Sequence, residues 1–296
     1  MYVMQDILKY IGKLTNGEHS PNAKTELKDL GFVSCANRVF VKHAPFYQPC
    51  LITVLSGRKI LFKDSQEVIC ETGQTLAVPG PSSYDLRNEP DPVNRKYASL
   101  IIPFNAELLK SLQSAHNITY SHKKQDINIL TFSEYSVLND SIKHYLSALS
   151  SQTLITHRLM EILLVLIEQN PALLSFALLQ ETWSQQVRTV LATDLTCTWE
   201  LPDVCDQLST SESTLRRHLR KEGTNFRELL SELRLSSALM HLLQTTAPVQ
   251  QIAYECGYQS VSRFSQNFHK RFGLPPDQFR ESVNENGYDL NVIEHP

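Results

Sequence analysis

The sequence predicts a two-domain α+β protein, in which a small β-sandwich or barrel is followed by helices and then by an all-α domain. Three observations support this fold class. Short strand-like runs separated by turn residues fill the region from about residue 32 to residue 104. Beyond Phe104 the apolar residues recur with a helical period. A helical pattern over residues 201–221 then recurs over residues 249–270.

Length and composition agree with two domains. A chain of 296 residues with 42% hydrophobic and 20% charged residues can bury two cores and is typical of globular proteins. The longest apolar runs, such as residues 162–167, are far shorter than the ~20 residues of a membrane span. The first residues lack a signal-peptide pattern, so we expect a cytoplasmic protein without membrane association.

Five segments of the first half have the composition of β-strands. They are rich in Val, Ile, Tyr and Phe and are separated by Ser-Gly, Asp-Ser, Thr-Gly and Pro-Gly-Pro-Ser-Ser sequences. The segments are residues 50–56, 58–63, 66–70, 75–79 and 97–104. Short strands with tight turns are typical of a sandwich or barrel. We expect the surrounding prolines to bound loops, because central strands exclude proline; they are Pro79, Pro81, Pro90 and Pro92.

Helices are predicted from residue 106 onward. The segments 106–115, 132–149 and 153–169 have helical periodicity, and the last ends before Pro171, whose ring disfavours helix in the preceding residue. We place a first domain at residues 1–180, with helices over about 106–169, a second at 183–282, and a tail at 283–296.

The repeat in the second domain has the plan of a helix-turn-helix. Each copy contains a short apolar-faced helix, a polar turn, a serine able to cap, and a longer helix with apolar residues at i and i+4. The copies cover about residues 201–222 and 249–272, and a linker helix covers about 225–243. Gly257 lies in the second turn, where a left-handed backbone is easiest for glycine; Ser209 takes that place in the first.

Positive charge is concentrated on the longer helix of the first copy. Residues 183–281 contain 11 Lys/Arg and 11 Asp/Glu, so the net charge of the domain does not indicate a nucleic-acid binder. The segment STLRRHLRKEG, residues 213–223, nevertheless places its arginines outside a face formed by Leu215 and Leu219. Because screening confines charge attraction to about 8 Å, such local placement suffices for DNA contact.

The linker segment carries two apolar stripes rather than one, so we expect other helices to pack against it on two sides. Its 19 residues span roughly 28 Å as a helix, comparable with the ~34 Å between successive major grooves on one face of DNA. A rigid rod of this length would hold two DNA-reading helices about one helical turn apart.

Residues 183–281 contain four motifs in which apolar, Gly, Pro and basic positions fall in register. These are Trp199-x-Leu201-x-x-Val204-Cys205, Ser211-x-x-x-Leu215-x-Arg217-x-Leu219, Phe226-x-x-x-Leu230-x-x-x-Arg234 and Ile252-Ala253-x-x-Cys256-Gly257-Tyr258-x-Ser260-x-x-x-Phe264-x-x-x-Phe268-x-Lys270-x-Phe272-Gly273-x-x-Pro275-x-x-Phe279-Arg280. In these motifs the segment resembles the DNA-binding domain of the AraC/XylS family of bacterial transcription regulators.

The resemblance implies which residues contact DNA. The base-contacting positions of the family correspond to Ser213, Arg216, Arg217, Val261, Ser262 and Gln266. We expect contacts to phosphates from Ser211, Arg220, Lys221, Ser260, Arg263 and Lys270. The resemblance also implies sequence-specific DNA binding by a regulator, with activation, and hence contact with RNA polymerase, as the expected mode.

The strand-rich half resembles the cupin-like effector or dimerisation domain of the same family. We therefore expect a homodimer and a small-molecule effector. Aromatic residues that could line an effector pocket are Phe40, Phe46, Tyr47, Phe62 and Tyr84. Apolar residues that could form a dimer seam are Leu146, Leu149, Leu159 and Leu163.

Two other classes of function are compatible with parts of the sequence. One is a cupin-type metal enzyme, or a sugar-binding protein, with a helical interaction domain; the other is a pure protein-interaction module. A catalytic metal needs about three protein ligands, whereas residues 32–104 contain a single histidine, His43. The six cysteines also lack metal-binding spacing, so we expect no catalytic residues, metal or cofactor.

Overall fold

The computed structural model describes residues 7, 11, 30–63, 66–118, 120, 127–133, 136–179 and 182–285. The chain divides into two compact units, Met1–Gln180 and Glu181–Pro296. The first unit is rich in β-sheet and the second is helical. Most of the predicted tail lies outside the described residues, as does the side chain of His43.

Nine strands form two antiparallel sheets in the described part of the first unit. They are β1 (Gly31–Cys35), β2 (Val39–Phe46), β3 (Cys50–Ser56), β4 (Arg58–Lys63), β5 (Gln66–Glu71), β6 (Thr75–Val78), β7 (Ser82–Glu89), β8 (Tyr97–Pro103) and β9 (Leu130–Phe132). One sheet has the order β1-β8-β3-β6-β9 and the other β2-β7-β4-β5. The Lys59 ammonium of one sheet lies 5.4 Å from the ring of Tyr97 in the other, so the two sheets face each other.

The interior between the sheets is polar around Lys59. This side chain is 2% exposed, and its ammonium donates to the amide oxygen of Asn88 at 2.6 Å. Burial lowers the pKa of Lys59 to about 8. The nearby thiols of Cys35, Cys50 and Cys70 have their pKa values raised to about 12 by the same burial.

The helices of the first unit share one core with the five-stranded sheet. They are α1 (Ala106–Ala115), α2 (Ser136–Ser147), α3 (Gln152–Gln169) and a 3-10 helix (Pro171–Leu178). The helix expected over 132–149 begins only at Ser136, because Phe132 pairs with Thr75 in strand β9. No single described helix is long and apolar enough to span a membrane; residues 153–169 and 171–178 meet that criterion only jointly, with a bend of 119° between them.

The leucines expected at a dimer seam belong to this core instead. Each is at most 9% exposed, and all lie in the same cluster as the sheet; they are Leu146, Leu149, Leu159 and Leu163. Their side chains therefore pack within one chain and leave little surface for a partner. Among the described residues of α2 and α3, the large apolar side chains that are exposed are Val137 and Leu154.

The second unit contains seven helices in its described part. They are α4 (Trp183–Ala192), α5 (Leu201–Gln207), α6 (Glu212–Lys221), α7 (Phe226–Gln244), α8 (Val249–Glu255), α9 (Val261–Phe272) and α10 (Pro276–Glu285). Helix α7 is buried on two sides: Leu229 joins the core of α4, α5 and α6, while Leu239 and Leu242 are buried further along the helix.

Candidate nucleic-acid interface

The turns that precede α6 and α9 have the same hydrogen-bond pattern. In the first turn the N–H of Thr210 donates to the carbonyl of Cys205 at 3.0 Å, and in the second the N–H of Tyr258 donates to that of Ala253 at 2.9 Å. This bond is characteristic of a helix C-terminus that ends on a left-handed residue. That residue is Gly257 in the second turn, with φ of 80°, and Ser209 in the first, with φ of 49°.

A serine begins each of the two longer helices. The side chain of Ser211 accepts a hydrogen bond from the N–H of Thr214, and that of Ser260 accepts one from the N–H of Arg263. Both serines are exposed, but their oxygens are engaged in the caps, where they satisfy a free N–H of the first turn. The N-terminal turns of α6 and α9 are thereby fixed in the same way.

Burial separates the inner and outer faces of both helices. Leu215 and Leu219 of α6 and Phe264 and Phe268 of α9 are at most 1% exposed. The predicted DNA-contacting residues lie on the outer faces, and all are exposed apart from the half-buried Val261. They are Ser211, Ser213, Arg216, Arg217, Arg220 and Lys221 on or beside α6, and Ser260, Val261, Ser262, Arg263, Gln266 and Lys270 on or beside α9.

The arginines of α6 differ in how free they are. The guanidinium of Arg216 is bound to the Glu212 carboxylate at 3.0 Å, in an exposed pair that contributes little to stability. The guanidinium groups of Arg217 and Arg220 make no hydrogen bond or ion pair with any residue that the structure describes. Their donors are therefore available to a base edge or a phosphate.

Helix α6 is held in place by contacts that the sequence did not reveal. The carboxylate of Glu222 accepts hydrogen bonds from the N–H groups of Trp183 and Ser184 at the start of α4. The indole of Trp183 also stacks on the imidazole of His218, with ring centroids 4.6 Å apart. These contacts join residues 35 or more positions apart, which sequence periodicity cannot detect.

The turn before α9 packs closely against Arg234 of α7 and the segment that follows α4. The guanidinium of Arg234 donates to the carbonyls of Leu195 at 3.1 Å and Cys197 at 2.8 Å. A methyl group on Gly257 would lie 1.9 Å from the Leu195 carbonyl oxygen and 2.7 Å from Nε of Arg234. Glycine is thus required at this position both by its left-handed backbone and by the close approach.

The aromatic residues expected to line an effector pocket form two separate pairs. Phe40 and Phe62 pack edge to face with centroids 5.8 Å apart, and Phe46 and Tyr84 do so at 5.6 Å. The strand register puts the two pairs on opposite faces of the four-stranded sheet. A β-bulge between Val41 and Ala44 reverses the alternation within β2, and simple period-2 counting misses it. Tyr47 lies beyond the end of β2.

Among the residues that the structure describes, no group of three or more His, Cys, Asp or Glu side chains is placed to hold a metal ion.

Two family models match the chain. A helix-turn-helix domain matches residues 204–282, and the ExsA N-terminal regulatory domain matches residues 49–176. The HTH-type transcriptional activator CfaD of Escherichia coli is 31% identical over 185 residues, which cover 59% of this chain and 69% of CfaD. The dual transcriptional regulator Rns of E. coli is 25% identical over 229 residues, covering 74% and 85% of the two chains.

The fold is also similar to that of a solved structure. ToxT from Vibrio cholerae, bound to an unsaturated fatty acid, superposes with a TM-score of 0.54 over 90% of this chain and 97% of ToxT, at 15% identity. That likeness shows a two-domain fold with a sheet-rich N-terminal domain and a helical C-terminal domain.

Fold and interface together define a DNA-binding transcription regulator of the helix-turn-helix type. The chain belongs to the AraC/XylS family. Its relatives named above are transcription regulators rather than enzymes.

Proposed function

We propose that this regulator is a cytoplasmic activator that reads two successive major grooves of double-stranded DNA, with α6 in one groove and α9 in the next. The proposal rests on the similarity of two helix pairs, α5 with α6 and α8 with α9. Both pairs have the same hydrogen-bond pattern in the turn and the same serine cap, and each presents exposed polar and basic side chains. In each pair the first helix (α5 or α8) would support the second, and the second helix (α6 or α9) would contact the bases in the major groove.

The length of α7 supports this arrangement. Its 19 residues extend over roughly 28 Å, close to the ~34 Å of one helical turn of DNA. Because α7 is buried on two sides, it would act as a rigid spacer between the two reading helices. The domain limits that we propose for this half are residues 183–282, with a tail at 283–296.

For residues 1–180 we propose a cupin-like regulatory domain that binds a small-molecule effector and forms a homodimer. The match to a regulatory domain supports regulation, and ToxT provides an example of this fold with a bound fatty acid. The pair Phe46 and Tyr84 lies on the same face of the four-stranded sheet as the buried Lys59, and it is the part of the expected pocket that remains a candidate. Exposed Val137 and Leu154 are the candidates for partner contact, and RNA polymerase is the expected target of activation.

Anisotropy titration of a labelled operator duplex tests the DNA-binding half. We expect Arg217→Ala to lose about 1–3 kcal/mol of specific binding and to relax preference at one base pair. Lys270→Ala should weaken binding to all duplexes alike and reduce the salt dependence, since a phosphate contact carries no sequence information. The control is Lys110→Ala, an exposed lysine of the first unit. Equal operator binding by wild type and both variants would refute the assignment.

A further inference from the structure

A groove of about 480 Å³ lies in the second unit between α7 and the beginning of α9. Its volume is within the range of about 300–1,000 Å³ found for small-molecule sites. Three aromatic rings and three guanidinium groups dominate its walls; they belong to Trp199, Phe226, Tyr258, Arg227, Arg234 and Arg263. An apolar body with a negative charge matches this composition.

The charge of the groove is unbalanced. None of the residues that line it is Asp or Glu. Arg234 donates to backbone carbonyls and makes no direct ion pair within the described residues, although the carboxylate of Asp194, which does not line the groove, acts on its charge. Arg227 and Arg263 are exposed, and their guanidinium groups make no hydrogen bond or ion pair within the described parts of the chain. Two guanidinium groups at the mouth are therefore free to pair with an anion.

The groove is also lined by Tyr258. Tyr258 is 8% exposed, and its hydroxyl is buried next to the side chains of Ser231 and Asn267, which are close enough to act on it as hydrogen-bond partners. Both neighbours line the groove as well. These two neighbours can satisfy the hydroxyl, so the part of Tyr258 that the groove offers to a ligand is its aromatic ring.

We propose that the groove binds an aromatic carboxylate. The ring packs against Trp199, Phe226 and Tyr258, and the carboxylate pairs with Arg227 and Arg263. Aromatic faces favour this packing, and a guanidinium fork fits a carboxylate.

The site also gives the ligand a regulatory effect, an inference that rests on the proposed function. Arg263 lines the groove and is one of the residues from which we expect a phosphate contact. A carboxylate bound to Arg263 competes with the phosphate for the same donors. Occupancy of the groove therefore weakens the grip of α9 on DNA, without any change in the first unit.

Calorimetric titration of the full chain with biphenyl-4-carboxylate tests the site, with biphenyl-4-carboxamide as the neutral counterpart. We expect the carboxylate to bind at least tenfold more tightly than the carboxamide, and Arg263→Gln to weaken its binding at least tenfold. Arg220→Gln, an exposed arginine on α6, is the matched control and should leave carboxylate binding unchanged. No binding, equal binding of the two compounds, or unchanged binding in Arg263→Gln would each overturn the proposal.

DNA binding, measured in the same samples, separates this proposal from the proposed function. Saturating carboxylate should weaken wild-type binding to a duplex several-fold and leave the residual binding of Arg263→Gln unchanged. Carboxylate binding with no effect on DNA affinity would overturn the competition. If wild type binds the carboxylate but no duplex at all, the proposed function is refuted and the assignment of a carboxylate site to the groove is supported. If it binds DNA but not the carboxylate, only the assignment of a carboxylate site to the groove is refuted.

Discussion

The carboxylate of Glu222, at the end of α6, accepts a hydrogen bond of 2.9 Å from the backbone N–H of Ser184, in the first turn of α4. A negative charge at a helix N-terminus is favourable because the first N–H groups have no partner within the helix. The same carboxylate also takes the N–H of Trp183. One acidic side chain thus ties the end of the first reading helix to the first turn of α4.

We expect Glu222→Gln to lower the free energy of unfolding of the second unit by about 1 kcal/mol, because it removes the charge from these bonds. Both tryptophans of the sequence lie in this unit, so their fluorescence during denaturant unfolding reports on it. Glu212→Gln is the control, since its carboxylate pairs only with exposed Arg216 and should change stability by less than about 0.5 kcal/mol. Equal losses in the two variants would contradict the anchoring role.

Gly257→Ala should destabilise the second unit by about 3 kcal/mol or more, because left-handed backbone strain adds to a collision with the Leu195 carbonyl. Gly223→Ala is a matched control. Gly223 also has a left-handed backbone, with φ of 74°, but an added methyl group meets nothing within 4 Å. It should cost only about 1–2 kcal/mol. Similar losses for the two variants in tryptophan-detected unfolding would show that the turn can move away from Leu195.

Lys59→Met should make the first unit more stable at pH 7. The pKa of Lys59 is lowered by burial from 10.5 to about 8, so the folded state loses this proton at a lower pH than the unfolded state. The wild-type lysine is therefore unfavourable below pH 8, and this penalty diminishes as the pH rises toward 10.5. We expect the advantage of the variant to shrink by about 1 kcal/mol between pH 7 and pH 9.

Calorimetry can identify the unfolding transition of the first unit, because its temperature should not change in Gly257→Ala, a substitution in the second unit. The nearby thiols stay protonated in the folded state up to pH 9 in both proteins, because burial raises their pKa values to about 12 and the charge of Lys59 only lowers them. Their titration in the unfolded state is common to wild type and variant, so it cancels in the difference. Lys110→Met, an exposed lysine, should show no such trend. A variant advantage that stays constant from pH 7 to pH 9 would mean that Lys59 is not a buried ammonium.

Local patterns in the sequence identified the elements with strong periodicity. The i, i+4 apolar spacing of α6 and α9 oriented their charged faces correctly, and β-branched runs located β3, β4 and β6. Strand β7 was not predicted, because its sequence SSYDLRNE is polar. It is a strand because β2 and β4 pair with it on both sides, and this tertiary context outweighs propensity.

The other differences between the predicted and the observed structure come from contacts between residues that are distant in the sequence. The apolar face of α2 and α3 was compatible with either a dimer seam or a core, and only the packing of the sheet decides for the core. From the sequence, Arg234 was assigned to a family motif without a structural role and Glu222 was assigned no role, because their partners are 37 to 39 positions away. Such contacts leave no periodic signal in a single sequence.

Selection of bound duplexes from a randomised DNA library tests most directly the central claim that one chain reads two successive grooves. We expect wild type to enrich two clusters of preferred bases centred about 10 base pairs apart, as α7 dictates. Arg217→Ala should lose preference in one cluster only, because Arg217 lies on α6 and not on α9. A single cluster, or two clusters that both survive unchanged in Arg217→Ala, would contradict the account.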